Sequence, residues 1–108
     1  MRGVAQFDAY PNPNVAQREA FPFFVVLQSD QLSRHSTRLC MPLARLPRPP
    51  SAMPRRLTES VLIEGERLYL AAHLCAALPA RLLKGPRIAL RDRAALFTDA
   101  LDAVLSGV

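Results

Sequence analysis

The sequence predicts a mainly β domain that ends in one α-helix. Short apolar and aromatic runs are separated by turn-forming residues, and two such runs flank Gly65 with the spacing of a hairpin. Near the end of the chain, apolar residues recur with helical spacing. Strands followed by a single helix fit a small antiparallel barrel, or a sheet with a helix packed on it.

The length and composition indicate one globular domain over residues 1–108. Half of the 108 residues are hydrophobic, and a chain of this length buries a core without metals or disulfides. No apolar run approaches the roughly 20 residues that a membrane helix needs, and the N-terminus lacks the apolar stretch of a signal peptide. We therefore expect a cytoplasmic protein with no membrane contact, in which residues 1–5 form a flexible N-terminal extension.

Three strands are predicted in the first half of the chain. Residues 6–10 alternate weakly between apolar and polar, and residues 11–14 are rich in the proline and asparagine of turns. Residues 21–30 are β-branched and aromatic, as in a buried strand. Residues 37–46 predict a third strand, in which Pro42 suggests an edge position or a bulge because proline has no N–H to donate.

The middle of the chain predicts a flap and a hairpin. Residues 47–56 contain four prolines, which exclude a regular helix and a central strand and favour a protruding flap or loop. Residues 60–70 predict a hairpin that turns at Gly65, where a positive φ costs little. For residues 71–86 we expect a short helical turn and then a loop, punctuated by Pro79 and Gly85.

The last segment predicts an amphipathic helix that continues almost to the chain end. Its apolar stripe consists of Leu90, Ala94, Phe97, Leu101, Val104 and Val108. Asp99 and Asp102 lie near the C-terminal end of this helix, where the helix dipole disfavours negative charge by about 0.3–1 kcal/mol. These acids form either a solvated face or a binding surface.

Basic residues are concentrated in one segment of the chain. The protein carries a formal net charge of +5, and residues 31–58 contain six arginines and no acid. Such a segment either attracts an acidic partner, a nucleic acid or an acidic peptide, or keeps the surface soluble. The six arginines are Arg34, Arg38, Arg45, Arg48, Arg55 and Arg56.

Residues that commonly carry chemistry are few and lack the usual spacings. Cys40 and Cys75 have apolar neighbours and no CxxC spacing, so we expect two buried thiols. His35 and His73 fall in no metal-ligand motif, and no phosphate-binding or nucleophile motif is present. We therefore expect no catalytic residues, no metal and no cofactor, and a protein that is not an enzyme.

Several stretches, taken in order, resemble the CcdB family of toxin–antitoxin toxins, which poison DNA gyrase. The resemblance runs from about Gln6 to Val108 and is carried by QFDAYPNPN, VVLQSDQL, TRLCMPLA, LTESVLIEGERLYL, AALPARLLKG and ALDAVLSGV. It implies an SH3-like antiparallel barrel with a small strand flap, a long C-terminal helix and a homodimer.

The same resemblance implies a function and a set of contacts. The toxin would bind the A subunit of DNA gyrase and trap the gyrase–DNA cleavage complex without doing chemistry itself. A CcdA-like antitoxin with a flexible tail would neutralise it, and the two together would repress their own operon. By resemblance, the gyrase-binding residues are Gln31, Leu32, Asp102, Leu105, Ser106, Gly107 and Val108.

Two other functions remain open from the sequence. The family ends in Trp-Gly-Ile, whereas this chain has Ser106 at the tryptophan position. The first alternative is therefore a CcdB-fold protein that dimerises and binds antitoxin but has lost or altered gyrase poisoning. The second is a basic nucleic-acid-binding module, although its arginine segment lacks interleaved aromatic residues. We interpret the arginines as a docking site for an acidic antitoxin tail and expect no specific DNA binding by the toxin alone.

Overall fold

Seven strands and one α-helix make up the part of the chain that the computed structural model describes, residues 3–32, 34–46 and 59–106. Short 3-10 turns join several of them. The elements are β1 (Asp8–Pro11), β2 (Phe23–Val26), β3 (Thr37–Ala44), β4 (Ser60–Ile63), β5 (Glu66–Leu70), β6 (Ala76–Pro79), β7 (Ile88–Ala89) and α1 (Ala94–Ser106). The predicted fold class, mainly antiparallel β with a C-terminal helix, is confirmed.

The strands form one antiparallel, nearly closed sheet in the order β4-β5-β3-β2-β1-β7. Strand β3 is the longest and organises the others, since β2 pairs along one side of it. On its other side the first half of β3 pairs with β6, where Cys40 faces Ala76, and the second half pairs with β5, where Leu43 faces Leu70. The nearly closed barrel is therefore built around one central strand, β3.

Pro42 lies inside this central strand, so the prediction of an edge position or a bulge is wrong. It pairs with Phe24 of β2, and its carbonyl accepts a hydrogen bond of 3.0 Å from Ala71 N–H. The residue falls between the last partner in β6 and the first partner in β5. Proline is tolerated there because the ladder is interrupted where its missing N–H would donate.

The hairpin of β4 and β5 turns where the sequence predicts. Glu64 and Gly65 have φ angles of 52° and 81°, which are the two positive angles of a type I′ turn. Such turns match the right-handed twist of the flanking strands. Gly65 adopts this conformation freely, whereas Glu64 adopts it at a cost.

Residues 71–86 differ from the predicted turn and loop. A 3-10 turn over Ala72–Leu74 is present, but it is followed by β6, which pairs with β3, and by a second 3-10 turn over Ala80–Leu82. The alanine-rich strand lacks the β-branched and aromatic residues that usually signal a strand. Its extended conformation is explained by its pairing with β3, whose first half would otherwise have no partner strand on that edge.

Helix α1 packs against the barrel through Phe97, Ala100 and Ala103, which are each at most 1% exposed. The predicted stripe is thus displaced around the helix, because Leu101 and Val104 are only half-buried. The 3-10 turn over Ala72–Leu74 lies against the same helix. Leu90 is buried as predicted but precedes the helix, and Val108 lies outside the described residues.

Two predicted segments cannot be compared with the structure. Residues 1 and 2 of the N-terminal extension, and all of the predicted flap at 47–56, lie outside the described residues. Within the described part, no helix has the length and apolar character to span a bilayer.

Replacing Phe97 with alanine should lower the free energy of unfolding by about 3–5 kcal/mol, because the ring is fully buried between helix and sheet. Urea denaturation measures the change. Leu105→Ala, on the same helix but at a side chain that is 76% exposed, is the matched control and should change stability by less than about 0.5 kcal/mol. Phe97→Leu should lie between the two. Equal effects at Phe97 and Leu105 would contradict this packing.

Replacing Glu64 with asparagine should raise the free energy of unfolding by about 0.5–1 kcal/mol. Asparagine tolerates the left-handed conformation, and Asn-Gly is a favoured pair in type I′ turns. The same substitution at Glu59, an exposed residue outside the turn, should have little effect and controls for the lost charge. A loss of stability on Glu64→Asn would show that the turn has another geometry.

Candidate functional site

Two of the segments that carry the family resemblance meet at Gln6 and Phe7. The Gln6 N–H donates to Asp30 Oδ1 at 2.7 Å, and its side-chain amide donates to the Leu27 carbonyl at 2.9 Å. The Phe7 N–H donates to the Val26 carbonyl at 2.7 Å. These residues were expected in a strand, but they form a turn that holds the loop after β2.

Arg91 ties the same turn to the beginning of helix α1. Its Nη2 lies 3.3 Å from the Gln6 carbonyl oxygen and 3.3 Å from Asp30 Oδ2. Next to it, the Leu90 N–H donates to the Phe7 carbonyl at 2.8 Å. Both charged side chains are at least half exposed, so the ion pair adds little stability, but it fixes the loop beside the residues that start the helix.

Phe7 has an unusual backbone conformation for its residue type. Its φ is 64°, in the left-handed region that bulky residues rarely adopt. The strain is offset by hydrogen bonds of its N–H and its carbonyl, and by the stacking of its ring on Phe97, with the ring centroids 6.1 Å apart. The motif around Phe7 contributes to the family resemblance, but nothing in the sequence indicates the left-handed conformation of this residue.

The loop that contains Gln31 and Leu32 is short and held at both ends. It forms a 3-10 turn over Asp30–Leu32, in which the Gln31 N–H donates to Ser29 Oγ at 3.1 Å. The side chain of Gln28 accepts from the Leu39 N–H at 3.1 Å and so fixes the loop to β3. Gln31 and Leu32 are both exposed, and Leu32 is 47% exposed.

The last described turn of α1 presents an apolar side chain to solvent. Leu105 is 76% exposed, the highest value among the large apolar side chains of the described residues. Asp102 and Ser106 are exposed on the same turn, and Ser106 Oγ donates to the Asp102 carbonyl at 2.8 Å. The serine hydroxyl thus bonds back to the preceding turn of its own helix. Gly107 and Val108 lie outside the described residues.

The two parts of the predicted gyrase surface lie at opposite ends of the helix in one chain. Arg91 anchors the Asp30–Leu32 loop at the beginning of α1, while Asp102, Leu105 and Ser106 lie at its C-terminal end. A helix of 13 residues is about 20 Å long. One compact contact does not cover both parts, and the binding role of these residues stays a prediction.

The predicted arginine docking site is divided by the structure. Arg34 is exposed, but Arg38 is 6% exposed and donates to the carbonyls of His35 and Thr37. Arg45 donates to the Glu19 carbonyl at 2.7 Å and forms an ion pair with Glu66. Arg38 and Arg45 thus contribute to the fold itself. The remaining members, Arg48, Arg55 and Arg56, lie outside the described residues.

The thiols and imidazoles offer little reactive chemistry. Burial raises the pKa of Cys40 to about 12 and that of Cys75 to about 11, so both thiols are protonated at neutral pH. Cys75 is half-buried, where full burial was expected. His35 is exposed and His73 is half-buried. Across residues 3–32, 34–46 and 59–106, no three His, Cys, Asp or Glu side chains are grouped to hold a metal ion.

We compared the chain with known proteins and protein families. No curated protein gives a significant match to the chain. The family model described as CcdB protein matches residues 6–107, nearly the whole chain. The match supports a toxin role in a toxin–antitoxin system in general. It follows that the chain belongs to the CcdB family.

Proposed function

We propose that this protein is the toxin of a type II toxin–antitoxin module, and that it binds the A subunit of DNA gyrase and traps the gyrase–DNA cleavage complex. It acts as a homodimer, performs no chemistry of its own, and is neutralised by a CcdA-like antitoxin. The observation that carries the proposal is the family match over residues 6–107. Exposed apolar and acidic side chains at the end of α1 support it, because they form a surface available to a partner.

The end of α1 is the part of the surface that best fits a protein contact. Leu105 contributes nothing to the core, and Asp102 lies where the helix dipole disfavours an acid. Burial in the core does not account for the leucine, and the helix dipole does not favour the acid. A partner that supplies an apolar surface and a cation would stabilise both of them. An arginine side chain supplies both, because its stem is apolar and its head is charged.

A second candidate function is supported by Ser106. Its hydroxyl bonds back to the helix, and a serine has no ring on which an arginine of a partner could stack. An aromatic anchor at the centre of an interface is typically worth 2 kcal/mol or more. Under this alternative, the protein keeps dimerisation and antitoxin binding but has lost or altered gyrase poisoning.

Replacing Ser106 with tryptophan should increase gyrase-dependent DNA cleavage. Restoring an anchor ring worth about 2 kcal/mol should lower the toxin concentration for half-maximal cleavage by about 30-fold. The assay measures linear plasmid DNA released from purified gyrase by detergent and protease. Thr98→Trp, which puts a ring at an exposed position nearer the start of the helix, is the matched control and should give no gain.

The outcomes separate the two functions. Cleavage by the unmodified protein that rises with Ser106→Trp supports the proposed gyrase poison with a weakened anchor. No cleavage by either protein, together with tight antitoxin binding, overturns gyrase poisoning and supports the alternative. A similar gain from Thr98→Trp would mean that any added ring increases binding, and the role given to position 106 would then be wrong.

The positions of the arginines bear on which of them we assign to the antitoxin contact. Arg38 is buried, and Arg45 is exposed but pairs with Glu66, so Arg34 is the described member of the predicted set that we assign to a partner. We assign it to the docking of an acidic antitoxin tail together with Arg48, Arg55 and Arg56. Long-range attraction between the basic segment and the tail would accelerate association more than it would tighten the final complex.

Replacing Arg34 with glutamate should slow association with the antitoxin encoded beside the toxin gene. We expect a decrease of about threefold or more at low salt, with the difference disappearing at high salt as the charges are screened. Stopped-flow or surface-plasmon measurements give the rate. Arg93→Glu makes the same charge change at an exposed position next to α1 and should have a smaller effect. Equal association rates for Arg34→Glu and the unmodified protein would refute this assignment.

A further inference from the structure

The Asp30 carboxylate joins three segments that are distant in the chain. Its Oδ1 accepts a hydrogen bond of 2.7 Å from the Gln6 N–H, and its Oδ2 lies 3.3 Å from Arg91 Nη2. The same Nη2 lies 3.3 Å from the Gln6 carbonyl oxygen. Gln6 and Asp30 are 24 positions apart in the sequence, and Asp30 and Arg91 are 61 positions apart. One guanidinium therefore connects the loop after β2 to the turn before β1 and to the start of the helical region.

Two other sets of hydrogen bonds act on the same loop. The N–H groups of Gln31 and Leu32 bond to Ser29, at 3.1 Å to its Oγ and 2.9 Å to its carbonyl, so they shape the turn without attaching it to the barrel. Gln28 attaches the base of the loop, because its Oε1 accepts from a backbone N–H of β3 at 3.1 Å. Neither set reaches the helical region. Among the described residues, the hydrogen-bonded attachment of the loop to that region is made by Asp30.

Arg91 stands on a fixed part of the backbone. It follows Leu90, which is 6% exposed and whose N–H donates to the Phe7 carbonyl at 2.8 Å. The Leu90 carbonyl in turn accepts from the Arg93 N–H at 2.8 Å, which closes the 3-10 turn before α1. Buried and hydrogen-bonded backbone therefore places the guanidinium, whereas the loop that it holds carries exposed side chains.

The Arg91–Asp30 pair is suited to ordering a loop and not to stabilising the whole domain. The two side chains are 59% and 50% exposed. Exposed ion pairs contribute little to the free energy of unfolding, because water screens the charges and two long side chains lose freedom. The opening of a loop costs far less free energy than global unfolding, so a weak contact changes the open fraction of a loop severalfold.

We propose that Arg91 is a positioning residue for the predicted gyrase contact. Through Asp30, it holds Gln31 and Leu32 in the conformation that binds the partner. The inference rests on the proposed function, in which the gyrase A subunit is the target of this loop. It goes beyond that function because Arg91 lies outside the predicted binding surface and acts through another residue.

Hydrogen exchange of the full-length protein, measured by NMR, tests the pair without gyrase. Arg91→Gln should accelerate exchange at the Gln31 and Leu32 amides by threefold or more, while the amides of β3 and the urea midpoint stay unchanged. Arg91→Lys keeps the charge and should restore most of the protection. The matched control is Arg93→Gln, which removes an exposed arginine two residues further on and should leave the exchange of the loop unchanged.

Surface-plasmon measurements with the purified gyrase A subunit test the consequence for binding. Arg91→Gln should weaken binding by threefold or more, and Arg91→Lys should weaken it less. Arg93→Gln should leave the affinity unchanged. The same order of variants in exchange and in affinity is the result expected of a residue that acts by ordering the loop.

The outcomes separate this inference from the proposed function. Equal loop exchange in Arg91→Gln and the unmodified protein overturns the inference, whatever the affinity for gyrase. Faster loop exchange with unchanged affinity overturns the positioning role, and equally faster exchange throughout β3 would show that Arg91 acts on the whole fold instead. If the unmodified protein does not bind the A subunit, the proposed function fails and the positioning role for gyrase fails with it, whereas the exchange data still decide whether Arg91 orders the loop.

Discussion

The stacking of Phe7 on Phe97 is the contact on which the arrangement of the other parts depends. It joins the turn before β1 to the buried face of α1, and so connects the beginning of the barrel to the last element of the chain. The left-handed backbone of Phe7 lets its N–H reach β2 while its carbonyl accepts from Leu90 at the start of the helical region. One strained residue thus sets where the helix begins, and the Asp30–Leu32 loop is fixed to the same turn through Gln6 and Arg91.

Elements whose signal lies within a few neighbouring residues are predicted correctly from the sequence. The prediction fails for strands whose conformation depends on pairing with residues far away in the chain. The hairpin around Gly65 was predicted because a type I′ turn depends on the conformation of only two adjacent residues. Strand β6 was missed because an alanine-rich segment becomes a strand only when the free edge of β3 is beside it. Pro42 was misplaced for a related reason, since a break between two partner strands on one edge cannot be inferred from β3 alone.

The candidate surfaces also differ in how well the sequence predicts them. The exposed end of α1 was expected from the acids near its C-terminus, and Leu105 agrees with that expectation although it was named from the family resemblance. The arginine segment was predicted from a count of charges, but a count does not distinguish a solvated arginine from one that donates to backbone carbonyls of the fold. Arg38 and Arg45 belong to the second kind.

The distance between the two ends of α1 also constrains how a partner can be bound. The loop at Gln31 and Leu32 is tied to the beginning of the helix, and Leu105 lies at its other end, about 20 Å away for a helix of 13 residues. A partner that contacts both within one chain must extend along the helix. A homodimer removes this requirement if the loop of one chain lies beside the helix end of the other. The proposed dimer would then allow a compact gyrase contact that a single chain does not offer.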